Sequence, residues 1–483
     1  MNKKRILKDL RKVLGKENVL SHIEDVIVFE QDAFIMRALP DFVVFPTSTE
    51  QVQRIAALAS AAHVPIVPRG AGTGVSGGAV PITGGIVTSF SKMNRILEID
   101  VKNRCAVVEP GVINIDISRA AKPYGYFYAP DPSSQMVCTI GGNIAENSGG
   151  IHGVAYGVTT NHVLGLEVVL PSGEVVELGG KTLDCPGYDL VGAVVGSEGT
   201  LGIVTKITLR LLHMREAFAT MVVIFNSLED ASQTVADIMA RGIMPSSLEL
   251  MDNMAIRAVE EAYRYGYPMD ADAVLLIELE GVREAMERPF NLIKDIALKN
   301  SAREIRTAST QEEREYLWKG RKGVFGAVGM IAPNQFTQDG VVPRPKLPEV
   351  LRKVVKIGEK YSLKIANVAH AGDGNLHPLI MFDPRKPGEL EKVTQAGEEI
   401  LRLCVEAGGT ITGEHGVGIE KREFLKWLFT DVDLGAMKAV KDIFDPKGIL
   451  NPGKVFETDI DPKELRVSSI GAAGGGGSGD AWV

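Results

Sequence analysis

Short apolar runs separated by glycine-rich turns dominate the chain from about residue 40 to 212, and longer amphipathic stretches follow from 219. DFVVFP, starting at Asp41, reads as a strand, and Ser48-Thr-Glu-Gln51 has the capping-box spacing that opens a helix running to Ala62. VPIVP at 64–68 is a second strand, leading straight into glycines; GLEVVL at 165–170 and GIVTKITLRLL at 202–212 are further strands. Beyond 219 the pattern predicts strands near 219–225, 246–251 and 273–279 and a helix near 228–241. A helix over 388–407 carries apolar residues at Leu390, Val393, Ile400, Leu403 and Cys404 and is ended by Gly408-Gly409. Two apolar, partly β-branched runs at 364–371 and 376–382 flank Asp373-Gly374, the pair that two-residue hairpin turns favour. Strands alternating with long helices, plus a hairpin, predict an α+β domain with an antiparallel sheet in this second part.

A hairpin centred on Asp373-Gly374 pairs 372 with 375, 371 with 376 and 370 with 377. His370 and His377 then stand opposite each other on one face, with Cβ atoms about 5 Å apart, an arrangement suited to two ligands of one metal ion. Some forty residues on, Gly413-Glu414-His415-Gly416 offers a carboxylate and another imidazole between glycines. Three of the eight histidines fall in these two glycine-rich turns, a concentration that favours a metal or catalytic site over scattered surface histidines.

At 483 residues the chain is long enough for two or more domains with their own cores. A net charge of −8 argues against a nucleic-acid or anionic-membrane surface. No run of eighteen apolar residues exists to span a bilayer. The start, MNKKRILKDLRKVLG, carries charges throughout and reads as a surface helix and not as a secretory signal. Cys105, Cys138, Cys185 and Cys404 show no CxxC spacing, so neither a disulfide framework nor an iron–sulfur or zinc-knuckle site is expected, and a reducing cytoplasm fits best. The end, GAAGGGGSGDAWV, has too little apolar content for a fold and reads as a linker or an added extension.

Three glycine clusters mark the first part of the chain. PRGAGTGVSGG at 68–78 follows a strand, and its backbone N–H groups can converge on a phosphate with Arg69 adding charge. Gly72, Gly74 and Gly77 match a dinucleotide fingerprint, but Pro81 and Gly84-Gly85 follow where that motif needs a helix, so a Rossmann unit is not expected. A second cluster spans 132–150 and a third, GSEGTLGI, spans 196–203. Three such loops in one domain, each beside Ser, Thr or Asn, point to repeated backbone approach to an extended polar ligand such as a dinucleotide.

The order PxGxGTxxxG, DPSS, TIGGNIAENSGG, GLEVVLPSGEVV and GSEGTLGIVT resembles the FAD-binding domain of the vanillyl-alcohol oxidase/para-cresol methylhydroxylase superfamily. AHAGDGNLHP, GEHGVG and FDPKGILNPGK resemble its D-lactate dehydrogenase and glycolate oxidase flavoprotein-subunit branch. The resemblance implies an α+β protein: an FAD-binding domain of two α/β subdomains at 1–213, an α+β cap with an antiparallel sheet at 214–412, a C-terminal segment at 413–456 that returns to the FAD domain, and the tail at 457–483. It implies FAD held by Arg69, Gly70, Ala71, Gly72, Thr73, Gly74, Gly77 and Gly78 at the pyrophosphate, and by Pro132, Ser133, Thr139, Gly141, Gly142 and Asn143 along the flavin. Ser148, Gly149, Gly150, Glu198, Gly199, Ile203 and Asn451 complete that set. The first loop holds no His or Cys, so non-covalent FAD is expected, with His152 the residue to watch.

By the same resemblance His370, His377 and Glu414 bind a divalent metal (Zn, Fe or Mn), His415 is the catalytic base and Arg321 grips the substrate carboxylate. Phe325 and Leu379 stand where relatives acting on dicarboxylates carry polar residues, which favours a small D-2-hydroxy acid such as D-lactate or glycolate. Electrons would pass to a partner protein, an iron–sulfur subunit or an electron-transfer flavoprotein. The alternatives are a subunit of an electron-bifurcating lactate dehydrogenase, or a non-catalytic FAD-carrying subunit that would not need the histidine hairpin.

Overall fold

The computed structural model describes residues 2–182, 186–458 and 468–469; Cys185 and most of the glycine-rich tail lie outside them. The chain divides into two compact units, one made of Met1–Ser148, Val158–Met214 and the segment from Glu414 onward, the other of Gly149–Gly157 and Arg215–Gly413.

Among the described residues the first unit holds two larger sheets and two two-stranded ones. Helix α1 (Lys3–Leu14) turns Ile6, Leu10 and Leu14 inward, the spacing of a one-sided amphipathic helix. Strands β1 (Val19–Leu20) and β2 (Phe42–Val44) lead to α2 (Thr49–Ala62), whose N-cap Ser48 accepts the Gln51 amide, as the capping pattern predicts. After β3 (Ile66–Arg69) and β4 (Ile86–Ser89) the sheet order is β1-β2-β4-β3, with β4 parallel to both β2 and β3. No helix occupies residues 70–85, so the first glycine cluster is a loop between strands, as its prolines and paired glycines imply. The second sheet adds β5 (Ile96–Asp100), β6 (Cys105–Val108), β7 (Val163–Val169), β8 (Val175–Gly179) and β9 (Ile203–Arg210) in the order β8-β7-β9-β6-β5, all antiparallel. Between β6 and β7 a short helix, α3 (Ile140–Glu146), rises from the second glycine cluster. The C-terminal segment closes this unit: the amide of Ile66 on β3 donates to Ile449, the amide of Asn451 donates back to Ile66, and Ile449 and Leu450 join the core.

The second unit is built on one seven-stranded antiparallel sheet. Its strands are β10 (Ala217–Phe225), β11 (Ser247–Asp252), β12 (Ala273–Gly281), β13 (Glu304–Thr307), β14 (Asn334–Thr337), β15 (Lys364–His370) and β16 (Asn375–Phe382), in the order β13-β10-β12-β11-β15-β16-β14. The central strands are buried on both faces, so they read as continuous apolar runs. One face packs Val222, Ile224, Met251, Val274, Leu276, Val368, Leu379 and Met381 against α4 (Asn253–Tyr263) and α5 (Gln311–Val328). Because side chains alternate along a strand, Thr220, Glu249, Glu278, His370 and His377 continue that same face beyond its apolar part. The sheet therefore carries an apolar half under two helices and a polar end.

The hairpin differs from expectation in register. His370 pairs with Asn375, Ala369 with Leu376 and Val368 with His377, two positions away from the two-residue-turn pairing. The loop is longer, 371–374, because the amides of Asp373 and Gly374 both donate to the His370 carbonyl. Gly374 does take the positive φ that the sequence assigns to it (85°), but as the last residue of a four-residue turn. The two histidines are thus diagonal neighbours on one face and not direct partners.

Candidate active site

Within the second unit, register brings Glu249 of β11 directly opposite His370 of β15. The His370 ring hydrogen-bonds through Nδ1 to Glu249 Oε1 at 2.8 Å, and Arg321, on α5, places a terminal nitrogen 2.8 Å from the other carboxylate oxygen. Glu249 is 1 % exposed and Arg321 3 %. Burial would push the Glu249 carboxyl up; the His370 imidazole and the Arg321 guanidinium outweigh it and hold it below the usual range. Arg321 is therefore buried within the unit and is not a surface charge of its helix. Its Nε finds no hydrogen-bond partner among the described residues.

The rings of His370 and His377 meet edge-to-face with centroids 5.0 Å apart, both buried. On the far side of His377, Asp339 Oδ1 lies 3.8 Å from Nδ1. Asp339 is fully buried and its other oxygen accepts from Thr412 Oγ1 at 2.6 Å and from the Gly413 amide at 2.9 Å. The bond from Nδ1 to Glu249 leaves Nε2 as the His370 nitrogen for a ligand, the usual carboxylate–histidine support, whereas the 3.8 Å between His377 Nδ1 and Asp339 is longer than a hydrogen bond. Within this unit Asp339 and His377 each offer one atom within 4.8 Å of the other, a carboxylate and an imidazole of the kind a divalent ion takes, and His370 is not part of that group. Glu414 and His415 follow Gly413 in the chain and belong to the first unit.

Glu249 and Asp339 escape the sequence reading. For Glu249 the available signal is a carboxylate flanked by leucines in SLELMD. Glu278 is a third: it accepts from Thr220, Trp318 and, two-pronged, Arg314, which holds its pKa well below the carboxylate range despite burial. His152, in the same unit, has Nε2 3.9 Å from Glu278 and its ring beside Trp318. Leu379 is part of the apolar core under α4 and α5, and Phe325 packs against it half-buried.

In the first unit the glycine clusters converge. A Cβ on Gly70 would overlap the Thr139 hydroxyl, so the first and second clusters lie in contact, and Thr139 caps α3 by accepting from the Gly142 amide. Gly72 and Gly77 have φ of 73° and 84°, and Arg69 folds back over Gly72, its guanidinium donating to the Gln31 carbonyl at 2.8 Å. A Cβ at Gly74 would meet only one atom within 4 Å. Open backbone there, hemmed by glycines that tolerate no side chain, is the cradle a pyrophosphate needs. Asn143 is buried and bonded to Asn114, while Pro132 and Ser133 lie on the loop leading into α3. Glu198 has a positive φ of 53° and Asn451 reaches its carbonyl with Nδ2 at 2.7 Å; Gly199 and Ile203 follow toward β9. Ser148 ends one segment of this unit, whereas Gly149 and Gly150 belong to the other. Cys105, Cys138 and Cys404 are buried and unbridged. Among the described residues no helix is long and apolar enough to cross a membrane.

Residues 40–179 match the FAD binding domain and residues 214–455 match the C-terminal domain of FAD linked oxidases. The chain is 44% identical over 454 residues to the glycolate oxidase subunit GlcD of Escherichia coli K12, covering 94% of this chain and 91% of that one. It is 43% identical to the GlcD subunit of Bacillus subtilis over 94% of this chain and 97% of that one. Identity to the D-lactate dehydrogenase of Anaerostipes hadrus is 33%, over 90% of this chain and 93% of that one. Among solved structures, p-cresol methylhydroxylase superposes with a TM-score of 0.80 at 19% identity, covering 95% of this chain and 98% of that one, a likeness of fold. With the glycine cradle and both domain matches in hand, the chain belongs to the FAD-linked oxidases and is an FAD-dependent oxidoreductase.

Proposed function

We propose that the protein oxidises a small D-2-hydroxy acid, D-lactate or glycolate, to the 2-oxo acid. The names of the relatives support the substrate class, and the buried His370–His377 pair, with His370 held by Glu249 and the Asp339 carboxylate beside His377, is the observation that carries the reading. In it His370, His377 and Glu414 hold one divalent ion, for which Zn²⁺, Fe²⁺ and Mn²⁺ are all suited by a mixed nitrogen and oxygen set. FAD, when bound, supplies the acceptor for the Cα hydride, and the ion, when bound, makes the substrate hydroxyl more acidic.

The chain's own residues do the rest. His415 takes the hydroxyl proton at a ring nitrogen. The Arg321 guanidinium, already desolvated and fixed on Glu249, receives the substrate carboxylate. Arg69–Gly74, Gly77 and Gly78 hold the pyrophosphate, and the dinucleotide is held without a covalent bond, so acid precipitation should release the yellow cofactor into the supernatant. Electrons leave to a partner protein, an iron–sulfur subunit or an electron-transfer flavoprotein; the word "subunit" in the names of the GlcD relatives supports such an assembly.

Two variants test the reading. His377→Ala should lose metal and activity while keeping FAD. His415→Ala should keep both metal and FAD and slow flavin reduction by roughly 10²–10⁴-fold. Protein free of metal by elemental analysis, yet fully active with D-lactate and glycolate, would overturn the metal role.

A further inference from the structure

The turn at 414–418 is anchored inside the first unit by a carboxylate that the cofactor-binding expectation does not explain. Glu198 Oε1 accepts the Val417 amide at 2.6 Å and Oε2 accepts the Gly418 amide at 2.8 Å. Ser76, in the first glycine cluster, donates its hydroxyl to the His415 carbonyl at 3.0 Å, and its backbone carbonyl accepts the Ile419 amide at 2.9 Å. Gly416 and Gly418 both have positive φ, and a Cβ on Gly416 would overlap the Glu146 carboxylate. Glu198 is itself fixed: its amide donates to Ala145 at 2.8 Å and its carbonyl accepts from Asn451, which also donates to Gly78. It is 4 % exposed. Every acceptor position of this buried carboxylate that meets an amide is thus spent on the one turn carrying Glu414 and His415.

We propose that Glu198 is a positioning residue: its carboxylate fixes the 414–418 turn so that Glu414 and His415 present their side chains in one orientation, and it does not serve the flavin directly. This rests on the metal-and-base reading of those two residues. Two charge-assisted bonds to adjacent amides define both the place and the tilt of the turn, which a single bond would not. A misplacement of about 1 Å at a reacting group can cost on the order of 100-fold in rate, so a clamp remote from the substrate can govern turnover.

The test uses the full chain loaded with FAD and metal. Glu198→Gln keeps the volume but sets an NH₂ against one of the two amides. Hydrogen–deuterium exchange over 413–421 should quicken about tenfold or more, FAD content should hold, and flavin reduction by D-lactate should slow on the order of 10- to 100-fold with little change in KM. Should that variant fail to fold, Ser76→Ala removes a neighbouring bond to the same turn and should move the same three readouts in the same direction. Lost FAD with unchanged exchange at 413–421 would overturn the proposal and return Glu198 to the cofactor. Faster exchange with normal flavin reduction, while His415→Ala is slow, would overturn the positioning role. Faster exchange in Glu198→Gln together with normal flavin reduction in His415→Ala would instead sink the catalytic reading and leave the clamp standing.

Discussion

Glu249→Gln is the most informative single change in the second unit. The substitution keeps size and shape but removes the charge that His370 and Arg321 share at 2.8 Å each. At an effective dielectric of about 20, a unit charge pair at that distance interacts by roughly 6 kcal/mol before desolvation is subtracted. Breaking a buried pair by removing one partner typically costs about 3–5 kcal/mol, because the other charge stays buried alone. For a unit of this size that corresponds to a fall in melting temperature of roughly 10 °C. Separately, an amide oxygen orients the His370 ring less firmly and makes its other nitrogen a weaker donor, which should lower metal affinity by about 10–100-fold. Thermal melting and chelator competition read the two effects. The double variant Glu249→Gln/Arg321→Met should recover stability, since no orphan charge remains, while metal affinity stays weak. Unchanged melting and unchanged chelator sensitivity in Glu249→Gln would refute the reasoning.

Three further outcomes are expected. Gly374→Ala forces a left-handed conformation on a residue whose new Cβ overlaps the Val342 carbonyl, so the second unit should lose about 2 kcal/mol or more, readable as a lower urea midpoint. Arg321→Lys keeps the charge but not the planar fork, so KM for the hydroxy acid should rise while FAD content holds; unchanged kinetics would remove Arg321 from substrate binding. His162 is buried in the first unit, and burial, with Arg210 adding to it, lowers its pKa to about 4. The unfolded chain takes up this proton near pH 6.5 and the native chain only near 4, so the stability it contributes is complete above 6.5 and drains away as pH falls through that window, by at most about 3 kcal/mol. His162→Gln should flatten that part of the urea-midpoint profile, and an unaltered slope would rule the residue out.

Local chemistry was readable along the chain where the signal was local. The N-cap at Ser48, the loop character of 70–85 and the left-handed Gly374 each follow from residues within a turn of one another. The hairpin register was not, because Asp-Gly serves a two-residue turn and the end of a four-residue one equally well, and the choice falls to the His370 carbonyl accepting two amides. Glu249 was out of reach for a different reason: it meets His370 across 121 positions of sequence, and only strand order brings them face to face. Arg321 sits in a helix with charges on every side, so periodicity could not tell its buried face from its wet one.

The division of the chain also fixes an order of events at the ribosome. The second unit, apart from a nine-residue excursion, is one unbroken stretch, whereas the first is assembled from three segments, the last beginning at Glu414. Ile449 and Asn451 supply the hydrogen bonds that complete the edge of β3, and Lys454 threads its amine to the Val80 carbonyl beside the first glycine cluster. All strands of the second unit's sheet are therefore synthesised before the segment that completes the first unit. The segment from Glu414 onward is made last, so the hydrogen bonds it gives to Ile66, Gly78 and Val80 can form only once it is present.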